Sequence, residues 1–211
     1  MLYIQSIRFK PKMDAILRFL RRKGGFSRMR EFRAASFQTR DIARLLREGR
    51  IEKIKRGLYR LPEIAVTPGI SRSLVEVSHA VPSGVIALVS ALAHYELTTF
   101  VPPEVYVAIP LSDKPPKLQY PPVRFFYFPA RFYSLGIERI KTPAGTVRMY
   151  SMEKTICDVF RYRNKIGESL ALEALRNYLR RRDSSIQRLV EFAVVCRVKT
   201  VMLPYIKAIV S

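Results

Sequence analysis

One short stretch, residues 39–48, constrains this chain more than any other. At about 100° per residue, Ile42, Leu45 and Leu46 gather on one side of a helix, while Arg40, Arg44 and Arg47 stand roughly opposite, within about 60° of one another. A helix divided in this way must bury its apolar side against neighbours and leave three guanidinium groups outside. Gln38 and Thr39 stand at its N-terminal tip, and Gly49 supplies the stop.

The flanking sequence provides those neighbours. Met13, Ile16, Leu17 and Leu20 recur at helical spacing and predict a helix over residues 12–23, ended by Gly24-Gly25. Ser27 is the expected N-cap of a second helix over residues 28–35, with Met29 and Phe32 facing inward. Beyond Gly49, the alternation in Ile51-Glu52-Lys53-Ile54-Lys55 and Leu58-Tyr59-Arg60-Leu61 around Arg56-Gly57 predicts a β-hairpin with a basic tip. Three helices followed by such a hairpin is the order of a winged helix-turn-helix, whose third helix enters the major groove.

Charge supports the same partner. The 211 residues carry a net charge of +21, and residues 1–62 alone hold 18 Lys+Arg against 5 Asp+Glu. A polyanion is the expected partner, with nucleic acid ahead of membrane. An arginine fork can pair bidentately with guanine or with phosphate, and lysine suits phosphate. Three arginines on one helix would otherwise be an ordinary solvated face. The apolar share of 48% is enough for a core. The longest apolar run, residues 85–93, is too short to span a bilayer. The first residues lack the pattern of a secretory signal. Two cysteines, Cys157 and Cys196, build no disulfide framework and fit buried apolar roles in a reducing cytosol.

A composition shift near Pro62, with Pro68 beyond it, predicts two domains, 1–62 and 63–211. The fold class expected is α+β: an N-terminal winged helix-turn-helix, then a C-terminal α/β domain of mixed strands with a helical end. Residues 1–11 have no firm assignment and suit a strand or arm. In the second domain, residues 87–97 read as a helix, and residues 105–111 and 123–128 as strands. Residues 137–142 and 146–150 read as a hairpin. Helices are expected over 152–162, 168–180, 185–196 and 200–209, with Leu172, Leu175 and Leu179 facing inward. Phe125-Phe126-Tyr127-Phe128 reads as a buried strand.

Catalytic patterns are lacking. There is no phosphate-binding glycine loop and no Asp-x-Asp pair for two metals. Asp113 and Asp158 are isolated in sequence. Glu52-Lys53 and Glu153-Lys154 are adjacent, so on a strand they would point apart. His79 and His94 lack metal-ligand spacing. No cofactor and no enzymatic activity are expected. The basic run Arg180-Arg181-Arg182, with Arg176, suits a helix C-terminus, and is also a candidate second nucleic-acid patch. Arg161, Arg163 and Lys165, interleaved with Phe160 and Tyr162, read as surface charge around core aromatics.

The sequence resembles a known family. Gly24-Gly25-Phe26-Ser27, then Ile42-Ala43-Arg44-Leu45-Leu46-Arg47-Glu48-Gly49-Arg50-Ile51, then Lys55-Arg56-Gly57-Leu58-Tyr59 is similar to the N-terminal domain of AbiEi-type antitoxins. Val81-Pro82-Ser83-Gly84-Val85, Ser90-Ala91-Leu92-Ala93-His94-Tyr95-Glu96-Leu97-Thr98, Val105-Tyr106-Val107-Ala108-Ile109-Pro110 and Glu153-Lys154-Thr155-Ile156-Cys157-Asp158-Val159-Phe160-Arg161-Tyr162-Arg163-Asn164-Lys165-Ile166-Gly167 resemble later segments of that family. The resemblance implies a cytoplasmic antitoxin of a type IV toxin–antitoxin, or abortive-infection, pair. It implies autorepression by binding repeats in the chain's own promoter. It implies a nucleotidyltransferase-like toxin as functional partner, opposed without a stable complex.

The residues expected to read bases are Gln38, Thr39, Arg40 and Arg44. Those expected to meet phosphates are Arg28, Arg30, Arg47, Lys55 and Arg56. Two other readings stay open on sequence: a stand-alone winged-helix transcription factor, and an RNA-binding protein.

Overall fold

In a computed structural model, residues 2–65, 67–118 and 120–210 are described, with side chains from residue 12 onward. The chain forms two compact units: Met1–Ala80 with Pro116–Pro121 and Lys141–Thr146, and Val81–Pro115 with Pro122–Ile140 and Val147–Ser211. The class is mixed α and β with a helical C-terminal end, as the sequence predicts.

The first unit opens with helix α1 (Leu2–Arg22). The helix predicted from residue 12 therefore begins at Leu2, which replaces the strand or arm suggested for residues 1–11; Met1 lies outside the described residues. Gly24 and Gly25 end α1 with φ of 71° and 88°, a left-handed turn that side chains resist. Strand β1 (Phe26–Arg28) follows, then helix α2 (Met29–Ala34) and helix α3 (Thr39–Arg47). Strands β2 (Glu52–Lys55) and β3 (Leu58–Arg60) form the wing, and helix α4 (Arg72–Ala80) completes the unit.

Ser27 is therefore not a helix cap. It sits on β1, opposite Tyr59, because residues 26–28 pair antiparallel with β3 and make the wing a sheet of order β1-β3-β2. The cap position falls to Arg28, whose amide donates to Glu31 Oε2 at 2.6 Å. The wing carries a bulge between Lys53 and Lys55, and its tip glycine, Gly57, has φ of 77°. Met13, Ile16, Leu17, Leu20, Phe32, Ile42, Leu45, Ile51 and Tyr59 form the core of this unit. Phe32 lies at its centre, with Phe19, Phe37 and Tyr59 rings 5.8–6.4 Å away.

The second unit is built on a sheet of order β6-β5-β4-β8-β7. Its elements run β4 (Val85–Ile86), α5 (Leu88–His94), β5 (Val105–Pro110), β6 (Val123–Phe128), α6 (Ala130–Tyr133), β7 (Ile137–Thr142) and β8 (Gly145–Tyr150). Five helices follow: α7 (Met152–Arg161), α8 (Arg163–Ile166), α9 (Glu168–Leu179), α10 (Ile186–Val195) and α11 (Lys199–Val210). Ser151 and Ser185 cap α7 and α10 by accepting from the amides of Lys154 and Arg188. Both cysteines are buried.

Two predicted faces shift. On α9 the fully buried positions are Ala171, Ala174, Leu175 and Tyr178, while Leu172 and Leu179 only flank the core. β6 is an edge strand with alternating burial, so Phe126 and Phe128 are buried and Tyr127 is exposed. α4 and β4 fall where the sequence reading placed no element.

Candidate nucleic-acid interface

α3 is seated as its pattern demands. Ile42 and Leu45 are buried in the core of the first unit, Leu46 packs against it, and Arg40, Arg44 and Arg47 are exposed. Gln38 is the N-cap residue, and Gln38 and Thr39 are exposed at the same end. Asp41, in the first helical turn, is buried although it is charged. A carboxylate there is favoured by the helix dipole, and the Arg40 guanidinium lies 4.0 Å away.

The candidate side chains are not equally available. The Arg40 side chain is 72% exposed, against 47% for Arg44. Arg44 pairs with Glu48 one turn on, Nε to Oε1 at 2.7 Å. An exposed pair of this kind is worth roughly 0–1 kcal/mol, so a base edge or a phosphate can displace it. Arg30 and Arg56 are exposed.

Arg28 and Lys55 are half-buried and already engaged. Arg28 Nη2 donates to the His79 carbonyl at 3.0 Å, and Lys55 Nζ to the Ala80 carbonyl at 2.5 Å. Burial, and then the neighbouring Arg28 charge, lower the pKa of Lys55. His79 is tied in turn: its ring stacks on Phe26 at 4.0 Å and its Nε2 meets the Ala144 carbonyl at 2.6 Å. Burial is the main cause of its lowered pKa.

The basic candidates of the second unit divide as well. Arg176, Arg180 and Arg182 are exposed. Arg181 folds back, bidentate to Asp183 at 2.9 and 3.1 Å, with a third bond to the Tyr95 carbonyl. Arg161 lies 3.6 Å from the Phe132 ring centroid, and Arg163 donates to the Phe160 carbonyl.

Asp158 is not isolated. It pairs with Lys154 one turn earlier on α7, and both side chains are fully buried. The residues 153 and 154 that a strand would separate lie on a helix. Lys154 Nζ also sits 4.2 Å from the centroid of the Tyr150 ring. Among the described residues, no group of three or more His, Cys, Asp or Glu side chains is placed to hold a metal ion. No helix among them is long and apolar enough to cross a membrane.

The sequence reading missed α4 and the charged side chains that it carries. A signal was present: Arg72 and Glu76 stand four residues apart, the spacing of a helical ion pair.

Three helices, a wing and an outward arginine face have the arrangement of the winged helix-turn-helix class, in which the third helix enters the major groove. Residues 14–62 match the family of transcriptional regulators described as AbiEi antitoxin. Over that segment the chain is similar to the AbiEi family, as its motifs indicate, and that family is a regulatory one. No curated protein matches the chain.

Proposed function

We propose that this protein is a sequence-specific DNA-binding autorepressor and the antitoxin of a type IV pair, acting in the cytoplasm. The DNA-reading role is assigned to residues 1–62 and the antitoxin role to residues 63–211. The observation that carries the reading is α3, whose arginines face outward above a buried Ile42 and Leu45 inside the segment of the family match.

In this reading α3 enters the major groove of repeats in the chain's own promoter. Gln38, Thr39, Arg40 and Arg44 meet base edges, and Arg30, Arg47 and Arg56 meet phosphates. Arg28 and Lys55 join the phosphate contacts through the N–H groups that their carbonyl partners leave over. The exposed trio Arg176, Arg180 and Arg182 is the candidate second patch. The functional partner is a nucleotidyltransferase-like toxin, opposed without a stable complex.

The test is a titration of the full chain with its own promoter duplex and with structured RNA of equal length at physiological salt. Preference for the duplex supports the reading; preference for RNA refutes it. A neighbouring reading frame for a nucleotidyltransferase-like protein separates the antitoxin from a stand-alone regulator.

A further inference from the structure

α4 lies outside the matched segment, yet it is tied to the wing at both strands and at the tip. Glu76, on the second turn of α4, is 1% exposed. It accepts from Arg60 Nη1 on β3 and from Arg72 Nε at 2.8 Å on its own helix. Arg60 reaches further, with Nη2 2.5 Å from Glu52 Oε2 on β2, the residue directly opposite it across the wing. Arg72 also donates to the Pro62 carbonyl at 2.6 Å, fixing the chain that leaves the wing. One buried carboxylate therefore gathers two guanidinium groups and, through Arg60, both wing strands.

The second tie is at the end of the helix. The last carbonyls of a helix have no intrahelical donors and carry the negative end of its dipole. Here the carbonyls of His79 and Ala80 are taken by Arg28, at the start of α2, and Lys55, beside the wing tip. Two cations that repel each other are thus held side by side. The tip has one further tether, from the Met29 amide to the Gly57 carbonyl at 2.9 Å.

We propose that α4 is a brace for the wing, and that Glu76 is a positioning residue for DNA binding that acts through Arg60 without itself meeting DNA. This rests on the DNA-binding reading above. The β2–β3 hairpin is weak by itself, and β1 supports it only through three residues paired with β3, which leaves the β2 edge to be held by α4. Its phosphate contacts at Lys55 and Arg56 keep their spacing from α3 only while the strands are held. Loss of the Glu76 charge leaves Arg60, a side chain 11% exposed, with Glu52 alone, and the wing loosens toward its tip.

The test is Glu76→Gln in the full chain, studied at a temperature where it stays folded. Two quantities are read. The first needs no DNA: amide hydrogen exchange of the wing, residues 52–60, is expected to rise at least several-fold while α1 and α3 keep their protection. The second is the salt dependence of affinity for the promoter duplex. Its log–log slope is expected to fall by about one to two units as the tip contacts disengage, since each phosphate contact contributes about 0.9.

Unchanged wing exchange overturns the brace, as does a faster wing with an unchanged salt slope. If the wild-type chain does not bind the duplex, the DNA-binding reading fails, and the exchange result still decides whether α4 holds the wing. Should Glu76→Gln fail to fold, Arg72→Gln removes one half-exposed partner of the same carboxylate and should show a smaller effect in the same direction.

Discussion

The two units bury charge in different ways. In the first unit the buried carboxylate of Glu76 joins separate elements, and its network ends at the half-exposed side chains of Arg72 and Glu52. In the second, Lys154 and Asp158 close on each other within one helix, both fully buried, against the rings of Tyr150 and Phe128. Asp158 Oδ1 has no hydrogen-bond partner among the described residues. Burial pushes the Asp158 carboxyl up to about 6 even with Lys154 opposing that rise. A network that connects elements can set the geometry of a surface; a sealed pair within one turn specifies only its own core. The cations outside follow the same division. Those of α3 face outward, whereas Arg181 of the second unit is turned back onto Asp183 and Tyr95.

The largest effect expected on folding is in the second unit. Asp158→Ala strands a buried ammonium and should cost roughly 3–5 kcal/mol in urea unfolding. Replacing both partners, Lys154→Met with Asp158→Leu, should recover most of that loss, because two desolvated charges disappear together. A large loss in the double variant would mean that the sealed pair does more than fill its core.

Next come the exposed arginines of the first unit. Arg40→Ala with Arg44→Ala should remove two base contacts of roughly 1–3 kcal/mol each, measured by duplex titration. Thermal unfolding should change by no more than about 0.5 kcal/mol, because neither side chain is part of the core.

Acid sharpens the comparison through two groups of opposite sign. His79 has a lowered pKa in the folded state, so the unfolded chain takes up its proton first. Its contribution is complete above the ordinary histidine value of about 6.5 and is lost as pH falls below it. Asp158 has a raised pKa, so its contribution is complete below the ordinary aspartate value of about 3.9 and is lost as pH rises through about 6. Urea midpoints at pH 5 and pH 7.5 should therefore move in opposite senses for His79→Gln and Asp158→Asn relative to wild type. The smallest effect expected is that of Glu48→Gln, which frees Arg44 from an exposed pair worth roughly 0–1 kcal/mol and should leave duplex affinity within a fewfold.

The helical period alone placed α3 and its faces, because nothing competes with a stripe as clear as Ile42, Leu45 and Leu46. The wing strands followed from their alternation and from Gly57. β1 was not legible: three residues carry no period, and Ser27 has the chemistry of a cap until β3 pairs with it. α4 was hidden by a mixed face, since its buried side includes Glu76, which is apolar in neither composition nor hydropathy. Leu172 and Leu179 misled because small Ala171 and Ala174 admit closer packing than leucine does. Asp158 looked solitary only as a metal ligand, for want of an acidic neighbour; Lys154, four residues earlier on the helix expected over 152–162, already had the spacing of an ion pair. In the site itself, exposure of α3 could be read from sequence, but the engagement of Arg28 and Lys55 by backbone carbonyls could not, since no side-chain pattern announces it.

The account turns on whether α3 meets DNA. The most direct measurement is a salt series of promoter-duplex affinities for the wild-type chain and for the variant with Arg40→Ala and Arg44→Ala. Tight, strongly salt-dependent binding by the wild type, lost in a variant that unfolds at the same temperature, is the predicted result. Equal affinity of the two proteins across the series would contradict it.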